Sequence, residues 1–238
     1  DQVVDAIPGY GNSPVARTSA FLHATLAPAG DAGNRMQHTR TTVIETAHAE
    51  HRFHVAMACA LLVVGMAGFA RSYWLKLPGG QFAGAPIHHV HGLLMTTWLV
   101  FYLVQTRLAA RGRIVHHQAW GLGGIALFSV LICSTLALTF RSLHVDLARA
   151  GGHEAALQMP AATLISLALA VGLFGVAIAC TRRPDTHKRL MVLVMVVLLQ
   201  AAVARMVVLP FLGGGGPPSA WTTLPTGLVA DVLILAAV

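Results

Sequence analysis

Charge is what this sequence has least of. Asp, Glu, Lys and Arg make up 11% of its 238 residues, where a soluble domain carries about a quarter. Cysteine is also sparse. Cys59, Cys133 and Cys180 each sit within or at the end of an apolar block, and no CxxC or CxxCH spacing occurs. Their spacing speaks against a thiolate zinc site and a covalently attached c-type haem, and a buried apolar thiol is the ordinary reading. No HExxH or facial-triad spacing points to a particular ion. No basic face with interleaved aromatics is present, which excludes nucleic acid as a partner. No basic-then-apolar leader precedes the first apolar block, and no internal repeat is evident.

What the sequence has in abundance is apolar residues, 55% of the total. They fall in blocks near the ~20 residues that a helix needs to cross the hydrocarbon core of a bilayer. The expected spans are 53–74, 88–108, 115–140, 160–181, 187–210 and 225–238. Breaks fall at Pro78-Gly79-Gly80, at Arg182-Arg183-Pro184-Asp185 and in the glycine-rich 213–218 stretch. The fold class that follows is all-α: an integral membrane helical bundle of about six transmembrane helices. The last block, from about Thr226, rises only ~20 Å, so the chain is expected to continue beyond Val238 and the last span to be incomplete. Residues 1–50 contain Pro8, Pro14 and Pro28 and no sustained period. They read as an extended N-terminal arm that cannot form a core alone, with a short helix entering the first span from about Thr41. Residues 51–238 are the membrane bundle.

The net charge of +7 is unevenly placed. The arm carries −2 and the bundle +9. With the N-terminus inside, nine loop cations (Arg40, Arg52, Arg107, Arg111, Arg113, Arg182, Arg183, Lys188 and Arg189) face the cytoplasm against four outside (Arg71, Lys76, Arg141 and Arg149). Positive loops mark the cytoplasmic side, so the N-terminus and the arm are expected to be cytoplasmic, in a bacterial cytoplasmic (inner) membrane.

Thirteen histidines are many for so apolar a chain. That topology sorts most of them into two layers. The cytoplasmic layer holds His48, His51 and His54, then His116 and His117, then His187. The outer layer holds His88, His89 and His91, with His144 and His153 in the loop between the third and fourth spans. Imidazole is the usual axial ligand of a b-type haem and the commonest metal ligand. Ligands on different helices at one depth are what a bundle-core site requires. His54, His117 and His187 meet that condition on the cytoplasmic side. A histidine at a membrane interface also commonly does no more than hydrogen-bond to water or to a helix end.

Gln105, Gln200, Arg205 and Asp231 lie inside the expected spans. Charge inside hydrocarbon is costly and points to function by default. Arg205 precedes Pro210 and Asp231 follows Pro225 by distances that place both ~7–9 Å below the same membrane face. They read either as a salt bridge pinning two helices or as a ligand or proton site shared with His91.

The stretch Pro86-Ile87-His88-His89-Val90-His91-Gly92, then Trp98 and Gln105-Thr106, resembles the start and end of a span in a family of bacterial polytopic membrane proteins with no established activity. Arg113, His116, His117, Trp120 and Gly121 match the opening of that family's next span. His187-Lys188-Arg189-Leu190-Met191, followed by Arg205, matches a later one. The resemblance covers about residues 53–238. It implies the polytopic fold, and it singles out His89, His91, His117, His187 and Arg205 without assigning them a reaction. Six spans with histidines on several helices are also similar to the ascorbate-reducing cytochromes b. Those proteins hold paired histidines well inside the membrane, whereas most histidines here are at span ends.

Three functional readings follow. One is a redox protein whose histidine layers bind haem b or a transition metal. Another is a non-catalytic accessory subunit that docks on other membrane-protein subunits through residues 1–50. The third is a small-molecule transporter using Arg205 and Asp231. In each the lipid bilayer is the constant partner.

Overall fold

The computed structural model describes residues 29–149 and 153–212. Among them there is no strand. The order is α1 (Ala29–Ala70), a short 3-10 helix (Trp74–Lys76), α2 (Pro86–Ala110), α3 (Ile114–Arg149), α4 (His153–Ala179) and α5 (Pro184–Leu212). The chain divides into two compact units, Asp1–Arg52 and Phe53–Val238, and the side-chain contacts belong to the second.

Among the described residues, five segments are long and apolar enough to cross a membrane: Ala49–Ala70, Pro86–Ala110, Ile114–Ala148, Met159–Ala179 and Pro184–Met206. They correspond to the first five expected spans. The sixth, 225–238, lies outside the described residues.

The helix boundaries differ from expectation at three places, each with a local cause. α1 starts at Ala29 rather than near Thr41. Pro28 is the last proline before Pro78, so nothing after it interrupts the hydrogen-bond ladder. His144 was expected in a loop, but α3 continues through Arg149, because neither Gly nor Pro occurs between Gly124 and Gly151. His153 likewise opens α4 instead of lying in a loop. At the far end, α5 runs through Pro210 to Leu212.

α2 packs on α3, α3 on α4 and α4 on α5. α1 joins them through two glycines on one face. A Cβ at Gly65 would lie 2.6 Å from Leu99 Cδ1 on α2, and one at Gly68 would lie 2.5 Å from the Ala202 carbonyl oxygen on α5. Small residues one turn apart let helix backbones approach closely, the usual way that helices associate in lipid. The centre of the unit is aromatic. Phe128 and Phe174 stack with centroids 4.0 Å apart, and the buried Trp98 lies against both. The Trp98 indole N–H donates to Met195 Sδ at 3.1 Å, which satisfies the ring's one polar atom. The outward faces are apolar as well: Leu93, Val115, Leu122 and Ile165 are each about 70% exposed. Apolar side chains spread over several helices in this way suit contact with lipid tails.

Candidate functional site

Among the described residues, the buried polar side chains are Gln105, Ser134 and Thr139. Ser134 and Thr139 hydroxyls donate to the carbonyls of Leu131 and Thr135 one turn back, the local bond that lets a hydroxyl sit inside a helix bundle. Gln105 has no such outlet. It is 8% exposed, and neither its amide nitrogen nor its amide oxygen has a hydrogen-bond partner. An orphaned buried polar group costs about 1–3 kcal/mol, so Gln105 marks a place where the apolar bundle tolerates an expense.

The turn after α2 brings a histidine to the same place. Gly112 adopts φ +69°, a conformation open to glycine, and the chain reverses into α3 within a few residues. His117, one turn into α3, then lies with its ring beside the Gln105 main-chain carbonyl. Its Nδ1 is buried and unpartnered.

The third group comes from α5, where Pro184 occupies the first helical position, a favoured one for proline. At the end of α4 the carbonyls of Val176 and Ile178 accept from Cys180 and Thr181. The Ala177 carbonyl is left over, and His187 Nδ1 meets it at 2.8 Å. A carbonyl only accepts, so Nδ1 carries the proton and Nε2 presents a lone pair. The rings of His117 and His187 lie with centroids 6.4 Å apart and planes 80° apart.

Of the three cytoplasmic-layer histidines singled out in the sequence, the structure thus brings His117 and His187 together. His54, half-buried on α1 with its ring edge-on to Phe53, acts electrostatically on Asp185 at the start of α5 and so shares their end of the bundle. Among the described residues, no group of three His, Cys, Asp or Glu side chains is arranged to hold a metal ion.

The opposite end carries the other singled-out residues. His89 Nδ1 is 2.9 Å from the Tyr73 hydroxyl, and its ring packs on Tyr73 and Phe82. His91 Nδ1 is 3.2 Å from Ser134 Oγ on α3. The Arg205 guanidinium lies 4.7 Å from the centroid of the Phe69 ring and donates to the Ala201 carbonyl at 3.0 Å. Asp231, the expected partner of Arg205, lies outside the described residues.

Comparison with protein-family models, with curated proteins and with solved structures found no match to this chain.

A cavity of about 430 Å³ adjoins the histidine end. Gln105, Thr96, Val100, Phe101 and Val104 of α2 line it, with Trp120 of α3 across from them. Gln105 was visible in the sequence as a polar residue within a span, but nothing there tied it to a site. The Ala177 carbonyl that orients His187 has no sequence signature, because any residue at that position would supply it.

Proposed function

We propose that this is a multi-pass protein of the bacterial inner membrane, N-terminus cytoplasmic, whose working centre is the His117–His187 pair holding a b-type haem in a redox role. The observation that supports this reading is the pair itself: two imidazoles from different helices, 6.4 Å apart. The contact between His187 Nδ1 and the Ala177 carbonyl is the kind that fixes the tautomer of a ligating histidine and frees its other nitrogen.

Two ligands favour haem over a bare transition-metal ion. A porphyrin supplies four donors and needs two axial ones, whereas a bare ion would need further ligands that the described residues do not provide. Once bound, haem supplies one-electron chemistry. The chain's own part would be to hold the two imidazoles on different helices and to fix the tautomer of His187 through the Ala177 carbonyl. The same centre would serve in a subunit of a larger membrane electron-transfer complex, docked through residues 1–50.

The test is the optical spectrum of protein purified in mild detergent from a haem-sufficient host. The dithionite-reduced minus oxidised difference should show b-type bands, with about one haem per chain. A colourless protein that also contains no stoichiometric metal would end this reading.

A further inference from the structure

α5 is the most enclosed of the five membrane-length helices, yet the residues it leaves open do not suit lipid. From Val192 to Val203 every residue is buried or half-buried except Gln200 and Ala201. Ala204 is half-buried and Arg205 is exposed, so these four residues form one strip near the end of the helix. Its two flanks are defined by contacts. On one side the Ser166 hydroxyl of α4 donates to Gln200 Oε1 at 3.2 Å. On the other the Phe69 ring of α1 faces the Arg205 guanidinium. No described helix covers the strip itself.

Two groups on it lack what hydrocarbon cannot supply. The Gln200 amide nitrogen has no hydrogen-bond partner among the described residues. Arg205 donates to the Ala201 carbonyl but pairs with no carboxylate among them, and a charge inside hydrocarbon is costly unless it is paired. The other acidic residues of this unit that the structure describes, Asp146, Glu154 and Asp185, all fall in terminal turns of α3, α4 and α5. The Ser166–Gln200 contact joins antiparallel helices, so Glu154 comes level with Leu212, about two turns beyond Arg205.

Four occupants can be compared. An acyl chain covers Ala201 and Ala204 but leaves both polar groups as they were. A lipid phosphate lies past the end of α5, whereas the Arg205 guanidinium turns back one turn the other way, to Ala201. A second copy of the chain would bring the same strip with the same cation and no carboxylate. The 225–238 block meets every demand. It is apolar, and Asp231 is its one charged residue. It follows α5 after only the 213–224 stretch, and the spacings from Pro210 and Pro225 give Arg205 and Asp231 similar depths. Ala201 and Ala204 are small enough to let another backbone come close.

We propose that the strip formed by Gln200, Ala201, Ala204 and Arg205 is the seat of residues 225–238, a sixth membrane helix held between α1 and α4 by an Arg205–Asp231 ion pair. Nothing in this depends on haem.

The experiment uses the full chain, free of native cysteine, in nanodiscs. With Asp231 level with Arg205 on an antiparallel neighbour, Leu235 falls level with Ala201 and on the Asp231 face, whereas Leu233 falls on the opposite face. Ala201→Cys with Leu235→Cys should form a disulfide within one chain under copper phenanthroline, read by mass spectrometry of the digest. Ala201→Cys with Leu233→Cys should form at least tenfold less. Both pairs keep Arg205 and Asp231, so this arm reads even where a charge variant fails to fold. Arg205→Leu and Asp231→Leu should each lower the melting temperature, and the double variant should recover at least half of the combined loss. A disulfide between two chains would put a second copy on the strip and overturn the proposal. Equal yields from the two pairs, or no disulfide from either, overturn it too, as do additive losses from the two charge variants.

Discussion

At the scale of single residues, a charge on a membrane-length apolar helix persists where something compensates it. Arg205 shows how. Its guanidinium sits over the Phe69 ring at 4.7 Å and turns back to the Ala201 carbonyl. A cation over an aromatic face contributes about 0.5–2 kcal/mol, more as water is excluded. A double-mutant cycle of Phe69→Leu and Arg205→Leu, read by thermal or chemical denaturation in detergent, should therefore show a coupling in that range. Strictly additive losses would mean that the two side chains do not meet. The sequence showed Arg205 as anomalous but could not show Phe69, since the two meet only because α1 and α5 lie side by side. Histidines behaved similarly. Their number and their placement at helix ends were legible, yet which two would face each other was not. His116 and His117 are adjacent in sequence and differ in fate: His116 is exposed, whereas His117 is half-buried with Nδ1 enclosed.

At the scale of elements, hydropathy was sufficient to find the helices because a bilayer imposes one length and one polarity on each of them. Where that constraint lapses, beyond the hydrocarbon, the boundaries came from breakers alone. α1 begins earlier than expected because no Pro follows Pro28 until Pro78, and α3 runs on because neither Gly nor Pro occurs between Gly124 and Gly151. Close helix contacts were the least legible feature. Gly68 and Gly121 look alike in the sequence, both inside apolar blocks. A methyl group on Gly68 would strike the Ala202 carbonyl oxygen and carbon at 2.5–2.7 Å, backbone that has little room to give, whereas one on Gly121 meets nothing within 4 Å. Gly68→Ala should therefore cost about 1–3 kcal/mol by overpacking. Gly121→Ala should be neutral or stabilise by up to about 1 kcal/mol through helix propensity. Melting temperatures of the two variants check this, and equal effects would contradict the packing of α1 on α5.

At the scale of the whole molecule, if all five apolar helices cross, the 111–113 and 180–183 turns share one side of the bilayer and the 71–85 connection lies on the other. Seven of the cations near those turns belong to the first side: Arg107, Arg111, Arg113, Arg182, Arg183, Lys188 and Arg189. With positive loops inside, single cysteines at Arg111 and Thr186 in a background free of native cysteine should react with a membrane-impermeant maleimide only in inverted vesicles, and one at Gly79 only from the outer face. Labelling of Gly79 and Arg111 from the same side would mean that α2 does not cross. In the proposed orientation the His117–His187 pair is at the cytoplasmic end, and as a haem ligand His187 would do more than cap a helix. The direct measurement is chemical rescue. His187→Gly removes the ring and leaves a cavity its size. If the ring is an axial ligand, the variant loses the low-spin b-type spectrum, and added imidazole restores it by ligating the iron from that cavity. A His187→Gly variant that keeps the wild-type spectrum without imidazole would show that His187 only caps the Ala177 carbonyl, and the account of this centre would be wrong.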